Sequence, residues 1–229
     1  MSKKYAVHKP KRASVAIVAS EQLFPVRRIF CVGQNYADHV KEMGGDASKP
    51  APFFFCKPAD AVVANHSTIP YPSQTHNLHH EIEFVVAIGE GGSDIKRADA
   101  LKHVYGYAVG VDLTRRDLQA ASKEQGRPWD TAKGFDNSAP ISEITPWNGE
   151  FPASSRITLS VNGAKKQSAA LDQMIWPVPD VIAFLSQSFA LAPGDLIFTG
   201  TPAGVGPLAK GDKVVGYVEG LTSLEFSIG

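Results

Sequence analysis

The chain carries Glu81 and Glu83 in His79-His80-Glu81-Ile82-Glu83, at the head of an apolar run. Residues two apart on a strand leave the same face, about 6–7 Å apart at Cα. Two carboxylates there repel, and each raises the other's pKa unless a cation lies between them. Asp112 closes a second apolar run, Val104–Asp112, and can add a third carboxylate. Three carboxylates with open positions suit a hard divalent ion, Mg²⁺ or Mn²⁺, in octahedral geometry. Zinc more usually takes His or Cys. Strand parity adds His79, not His80, to the carboxylate face. Spacing alone leaves the plain alternative open, a strand face with both glutamates in water.

A second pair sits upstream. His39 and Glu42 are three apart and face together on a helical turn. A carboxylate beside an imidazole fixes its tautomer and favours the imidazolium formed when it takes a proton. Gly44-Gly45 follows and would allow the segment to hinge. An ordinary surface pair is the other reading. Lys133 and Gln119 read by themselves as surface residues, while Lys57, between an apolar run and Pro58, fits a solvated role poorly. The glycine-rich stretch 200–206 lacks the Lys-Ser/Thr ending of a phosphate loop. It reads as a turn cluster, or as backbone approaching a ligand with Thr201 donating a hydrogen bond.

The elements that must hold these groups are mostly strands. His80–Ile88 reads as one strand with Ile82, Phe84, Val86 and Ile88 on one face and Glu81, Glu83, Val85 and Ala87 on the other. Arg28–Val32 and Phe53–Cys56 read as strands, the latter buried, and 65–80 as an extended connection. Tyr36–Met43 has room for two helical turns. Thr114 reads as a helix N-cap with Asp117 completing a capping box, the helix stopping at Gly126. Asn162-Gly163 between Ile157–Val161 and Ala164–Gln167 predicts a hairpin with a type I′ turn. Pro179–Phe189 reads as a helix with proline in its first turn, and three short strands follow. The fold class is mainly β (α+β) with two or three short helices. Residues 1–20 form an arm with one strand, Ser14–Val18, and 21–229 a single catalytic domain.

Bulk properties narrow the partners. The 229 residues carry 23 basic and 23 acidic side chains, which argues against a nucleic-acid binder. No apolar run reaches the roughly 18–20 residues of a membrane span, and the first 20 residues lack a secretory h-region, so the expected location is the cytoplasm. Cys31 and Cys56 lie in apolar runs and read as buried free thiols. Asn65-His66-Ser67 matches a glycosylation sequon that has no use there.

Taken together, Gly33-Gln34-Asn35-Tyr36-Ala37-Asp38-His39 with Glu42, Phe55-Cys56-Lys57-Pro58, His80-Glu81-Ile82-Glu83, Val111–Gln119, Lys133-Gly134-Phe135 and Thr199–Gly206 resemble the fumarylacetoacetate hydrolase family, in the family's order. The resemblance spans roughly 25–228. It implies a mixed β-sheet roll, usually in a homodimer, and metal ligation by Glu81, Glu83 and Asp112. It implies a water-activating dyad, His39 and Glu42, on a lid, with Lys57, Gln119, Lys133 and Thr201 around the substrate. Leu23–Ile29 and Pro52–Asp60 look most like the acylpyruvase branch. The activity then expected is metal-dependent cleavage of the C3–C4 bond of a 2,4-dioxo acid such as fumarylpyruvate, with His39, Glu42 and Lys133 catalytic. Lys133 and Gln119 would face the developing oxyanion, and Arg116 or Arg127 a distal carboxylate. Position 34 is Gln where Arg is common in that branch, which bears on substrate charge. Oxaloacetate decarboxylation, isomerisation or decarboxylation of a hydroxylated dienedioate from aromatic catabolism, and a non-catalytic metal- or oxo-acid-binding module are the alternatives.

Overall fold

The structure is a computed structural model that describes residues 5–44, 51–147, 149 and 153–229. Gly45, half of the expected hinge, lies outside the described residues. Two mixed sheets dominate. The six-stranded sheet runs Thr145–Pro146, Val104–Val111, Ile82–Ile88, Asp195–Phe198, Arg28–Gly33 and Phe53–Lys57. Its neighbours are antiparallel except Asp195–Phe198 with Arg28–Gly33. The five-stranded sheet runs Ala164–Ala170, Arg156–Val161, Lys213–Val218, Leu224–Ile228 and Ser67–Ile69. The resulting mainly β architecture is the one expected.

Strand parity organises the core. Ile82, Phe84, Val86 and Ile88 join Val109 and Val111 in a cluster shared with Ile157, Leu159 and Val214 of the second sheet. Val85 and Ala87, on the Glu83 face, pack with Ile29, Cys31, Leu196 and Phe198 instead. Both faces of Ile82–Ile88 are therefore buried, and a solvated glutamate face is excluded. The arm strand Ser14–Ala16 pairs with Leu23–Pro25, and Val15 and Ile17 are buried in the second cluster. The Asn162-Gly163 turn has both residues at positive φ, 52° and 78°, as a type I′ hairpin requires.

Several expectations give way. The strand expected over His80–Ile88 divides at Glu81: Leu78–His80 belongs to a three-stranded sheet with Thr114–Arg115 and Gly206–Leu208. The chain changes sheets at Glu81, whose carbonyl accepts from the Asp112 N–H (2.8 Å). Thr114 does not cap a helix. It is a strand residue, and helix α2 (Arg116–Glu124) begins without a side-chain cap. The Asp117 carboxylate serves Thr75 Oγ1, the His76 N–H and the Leu118 N–H instead. Phe53–Lys57 is an edge strand, partly buried rather than fully so, and Cys56 is exposed while Cys31 is buried. Four strands follow the last helix α4 (Val178–Ser188), not three, because Gly206–Leu208 forms at the end of the glycine-rich stretch. Helix α1 (Ala37–Glu42) is shorter than Tyr36–Met43, and α3 (Asp130–Lys133) was not expected. No helix among the described residues is long and apolar enough to cross a membrane.

Candidate functional site

Glu81, Glu83 and Asp112 converge from the sheet change and the ends of two paired strands. One carboxylate oxygen from each lies within 4.8 Å of the others, and all three side chains are buried. Among the described residues this is the one such group. Glu83 Oε2 accepts from the Gly200 N–H at 2.7 Å. Burial, then Asp112 and Glu81, push the Glu83 carboxyl well above its usual range. Burial also acts to raise Glu81, but Lys133, Arg116 and His39 outweigh it and hold that carboxyl below its usual range.

Three cations answer the three carboxylates. Lys133 Nζ donates to Glu81 Oε2 (2.7 Å), Asp112 Oδ2 (2.6 Å) and Thr114 Oγ1 (2.7 Å). All three ammonium protons are thereby used. Burial acts to lower the Lys133 pKa, but Asp112 and Glu81 carry it above its ordinary value. Arg116 Nη2 donates to Glu81 Oε1, and its Nη1 to Gln119 Oε1 at 2.6 Å. Since guanidinium only donates, the Gln119 amide must present its oxygen there and turn its NH₂ elsewhere. Lys57 Nζ donates to the Leu113 and Lys133 carbonyls and lies 2.7 Å from Asp112 Oδ1, behind the carboxylates.

The donor set itself is a test of metal fit. Three buried carboxylates with oxygens within 4.8 Å of one another repel unless a cation lies between them, and a hard divalent ion is such a cation. Three carboxylates with water or substrate oxygens completing an octahedron suit Mg²⁺ or Mn²⁺. Glu81 and Asp112 retain lone pairs beyond those that serve Lys133. The donor set fits.

His39, on α1, is buried with Nδ1 3.1 Å from Glu42 Oε2. Glu42 also accepts from the Gly204 N–H at 3.0 Å. Gly204 has φ 96°, and a Cβ there would stand 2.2 Å from the Lys166 carbonyl oxygen. Only glycine lets the loop approach closely enough to tie down α1. His39, Gln34, Arg116, Gln119, Lys133 and Thr201 line one cavity with the three carboxylates. Lys57 and Glu42 are not on its wall. Phe53, Phe55 and Trp129 supply its apolar side, Trp129 meeting both phenyl rings edge-on. The cavity opens to solvent, and its narrow inner space is about 30 Å³, room for one or two waters.

Neither neighbouring histidine adds a metal ligand here. His79 Nδ1 faces Arg116, and burial followed by Arg116 lowers its pKa to about 4. His80 Nδ1 donates to Gln167 Oε1 at 2.9 Å. Sequence reasoning passed over Gln167, a buried amide with every valence used. Its Oε1 also accepts from the Ile82 N–H (3.1 Å), and its Nε2 donates to Thr201 Oγ1 and the Pro202 carbonyl, both at 2.8 Å. Thr201 therefore keeps its own hydroxyl proton for the cavity. The one legible sign was a polar residue at an inward position of a β hairpin.

The fumarylacetoacetate hydrolase C-terminal domain profile matches residues 28–228. The chain is 44% identical over 184 residues to the fumarylpyruvate hydrolase of Ralstonia sp, covering 80% of this chain and 96% of that protein. It is 40% identical over 203 residues to the mitochondrial oxaloacetate tautomerase of Mus musculus, covering 88% and 91%. The crystal structure of fumarylpyruvate hydrolase from Pseudomonas aeruginosa in complex with Mn²⁺ and pyruvate superposes with a TM-score of 0.96 at 48% identity, covering 98% of this chain and 99% of that one.

Proposed function

Because the chain belongs to the fumarylacetoacetate hydrolase family and is a carbon–carbon bond hydrolase, we propose that it cleaves acylpyruvates, fumarylpyruvate among them, to pyruvate and a carboxylic acid. The observation that carries this reading is one cavity wall that joins three buried carboxylates to His39, whose ring is oriented by Glu42. Binding alone would not require a water-activating pair.

A divalent ion held by Glu81, Glu83 and Asp112 would polarise the substrate's 2-oxo group as a Lewis acid and hold enolate charge. The chain's own residues do the rest. Glu42 keeps the His39 proton on Nδ1, so Nε2 is the free base that takes a proton from water. The water oxygen adds to the distal carbonyl, and the Gln119 NH₂ stabilises the oxyanion. Lys133 can assist there only by exchanging one of its three present acceptors. Collapse breaks the C3–C4 bond, releases the acid and leaves pyruvate enolate, whose C3 takes the proton back from His39. Thr201 donates its hydroxyl proton to the substrate. Lys57 acts from behind, orienting Asp112. Helix α1 would act as a lid over the site, tied down by the Glu42–Gly204 contact, which can open.

The similarity to an oxaloacetate tautomerase favours a second reading. Oxaloacetate would use the same carboxylates but needs no added water. The deciding experiment compares fumarylpyruvate, acetylpyruvate and oxaloacetate with Mn²⁺ or Mg²⁺. Pyruvate and the cognate acid are expected from the acylpyruvates, and His39→Ala should lower that rate at least 10²-fold. Turnover of oxaloacetate alone would establish the second reading.

A further inference from the structure

We propose that Lys123 sets specificity in this site, reading an anionic group at the far end of the substrate's acyl chain. The inference rests on the acylpyruvate reading and names its substrate class: 2,4-dioxo acids whose acyl chain is short, flat and ends in a carboxylate. The two arginines that the sequence offers for this task are placed otherwise. Arg116 is engaged by Glu81 and Gln119. Arg127 lines a neighbouring cavity of about 490 Å³ that shares Phe53, Phe55 and Trp129 with the site, but it is not on the site's own wall.

Lys123 is on that wall. It follows Gln119 by four residues on α2, so both leave the same helix face. Arg116, which holds Glu81, is followed on α2 by Gln119 and then Lys123, so Lys123 lies about 6 Å beyond Gln119 along the helix axis, on the side away from the carboxylates. Among the described residues no carboxylate lies within ion-pair distance of its ammonium. Nζ stands instead 5.2 Å from the centroid of the Trp129 ring. Although the side chain stays open to solvent, partial burial and then Arg116 lower its pKa. A cation held over an aromatic wall with no anion of its own is a receptor for one, and the wall itself suits a flat, unsaturated chain.

The test uses the Mn²⁺-loaded full chain with fumarylpyruvate, which has a distal carboxylate, and acetylpyruvate, which has none. Steady-state kinetics are paired with calorimetric binding in a His39→Ala background that prevents turnover. Lys123→Met should weaken fumarylpyruvate binding and raise its KM on the order of 10-fold, leave acetylpyruvate within about 2-fold, and be rescued by Lys123→Arg. An equal effect on both ligands, or none on either, overturns the proposal. If the wild type binds both acylpyruvates but hydrolyses neither, the hydrolase reading fails, and the binding ratio still decides the role of Lys123. If it binds neither, both fall.

Discussion

Replacing Gln167 by Glu exchanges one NH₂ for an oxygen in a place where every hydrogen bond is used. The strand Ala164–Ala170 slips register at Lys166, where Leu159 pairs with Gln167 but Ser160 with Lys165. Gln167 itself sits beside that bulge, in regular pairing with Leu159, and faces inward with Ala169. In Gln167→Glu one oxygen still accepts from His80 and Ile82. The other replaces the NH₂ that now donates to Thr201 and Pro202. The bond to Pro202 vanishes, at about 1 kcal/mol, its carbonyl is left buried and facing an acceptor, at about 1–2 kcal/mol more, and the Thr201 bond survives only with its direction reversed. We expect a loss of about 2–3 kcal/mol, or roughly 5–10 °C in Tm for a chain of this size. The functional effect is separable. Thr201 must turn its hydroxyl proton toward the new carboxylate and withdraw it from the substrate, which at about 1 kcal/mol raises KM roughly 5-fold and spares kcat. Calorimetric melting and steady-state kinetics at saturating Mn²⁺ check both. An unchanged Tm with an unchanged KM, or a kcat loss at constant KM, would refute the reasoning.

Other expectations follow from the same contacts. Glu83→Ala should weaken Mn²⁺ binding by at least 10-fold in titration calorimetry, since it removes one of three ligands; an unchanged affinity would mean the trio is misassigned. Gly204→Ala should disturb the Glu42 tether by forcing a Cβ against the Lys166 carbonyl. Acylpyruvate hydrolysis should fall severalfold while Mn²⁺ affinity stays constant, and a parallel loss of metal binding would show a general collapse of the loop instead.

The face carrying Glu81 and Glu83 was legible because side-chain period is a local property of a strand, and Ile82, Phe84, Val86 and Ile88 alternate without a break. The sheet change at Glu81 was not, because it depends on partners far away in the chain, Thr114–Arg115 and Gly206–Leu208. Thr114 shows the same limit: its N-cap chemistry is real, but Asp112 and Lys133 recruit its hydroxyl first. Phe53–Cys56 is apolar in sequence for two reasons: Phe54 and Phe55 pack partly buried against the cores, and Phe53 and Phe55 also wall a cavity. The Asn162-Gly163 turn and the Pro179 helix start came through intact, since both are written in backbone chemistry of adjacent residues. Gln167 reaches the site from 84 to 86 positions beyond Glu81 and Glu83, and nothing in its neighbourhood in sequence marks it.

The claim at the centre of this account is that Glu81, Glu83 and Asp112 hold one divalent ion beside His39. Anomalous diffraction from crystals grown with Mn²⁺ tests it directly. A single strong peak is expected, with one oxygen of each of the three carboxylates at about 2.0–2.3 Å. A peak seated on other residues, or none between these three at saturating Mn²⁺, would contradict it.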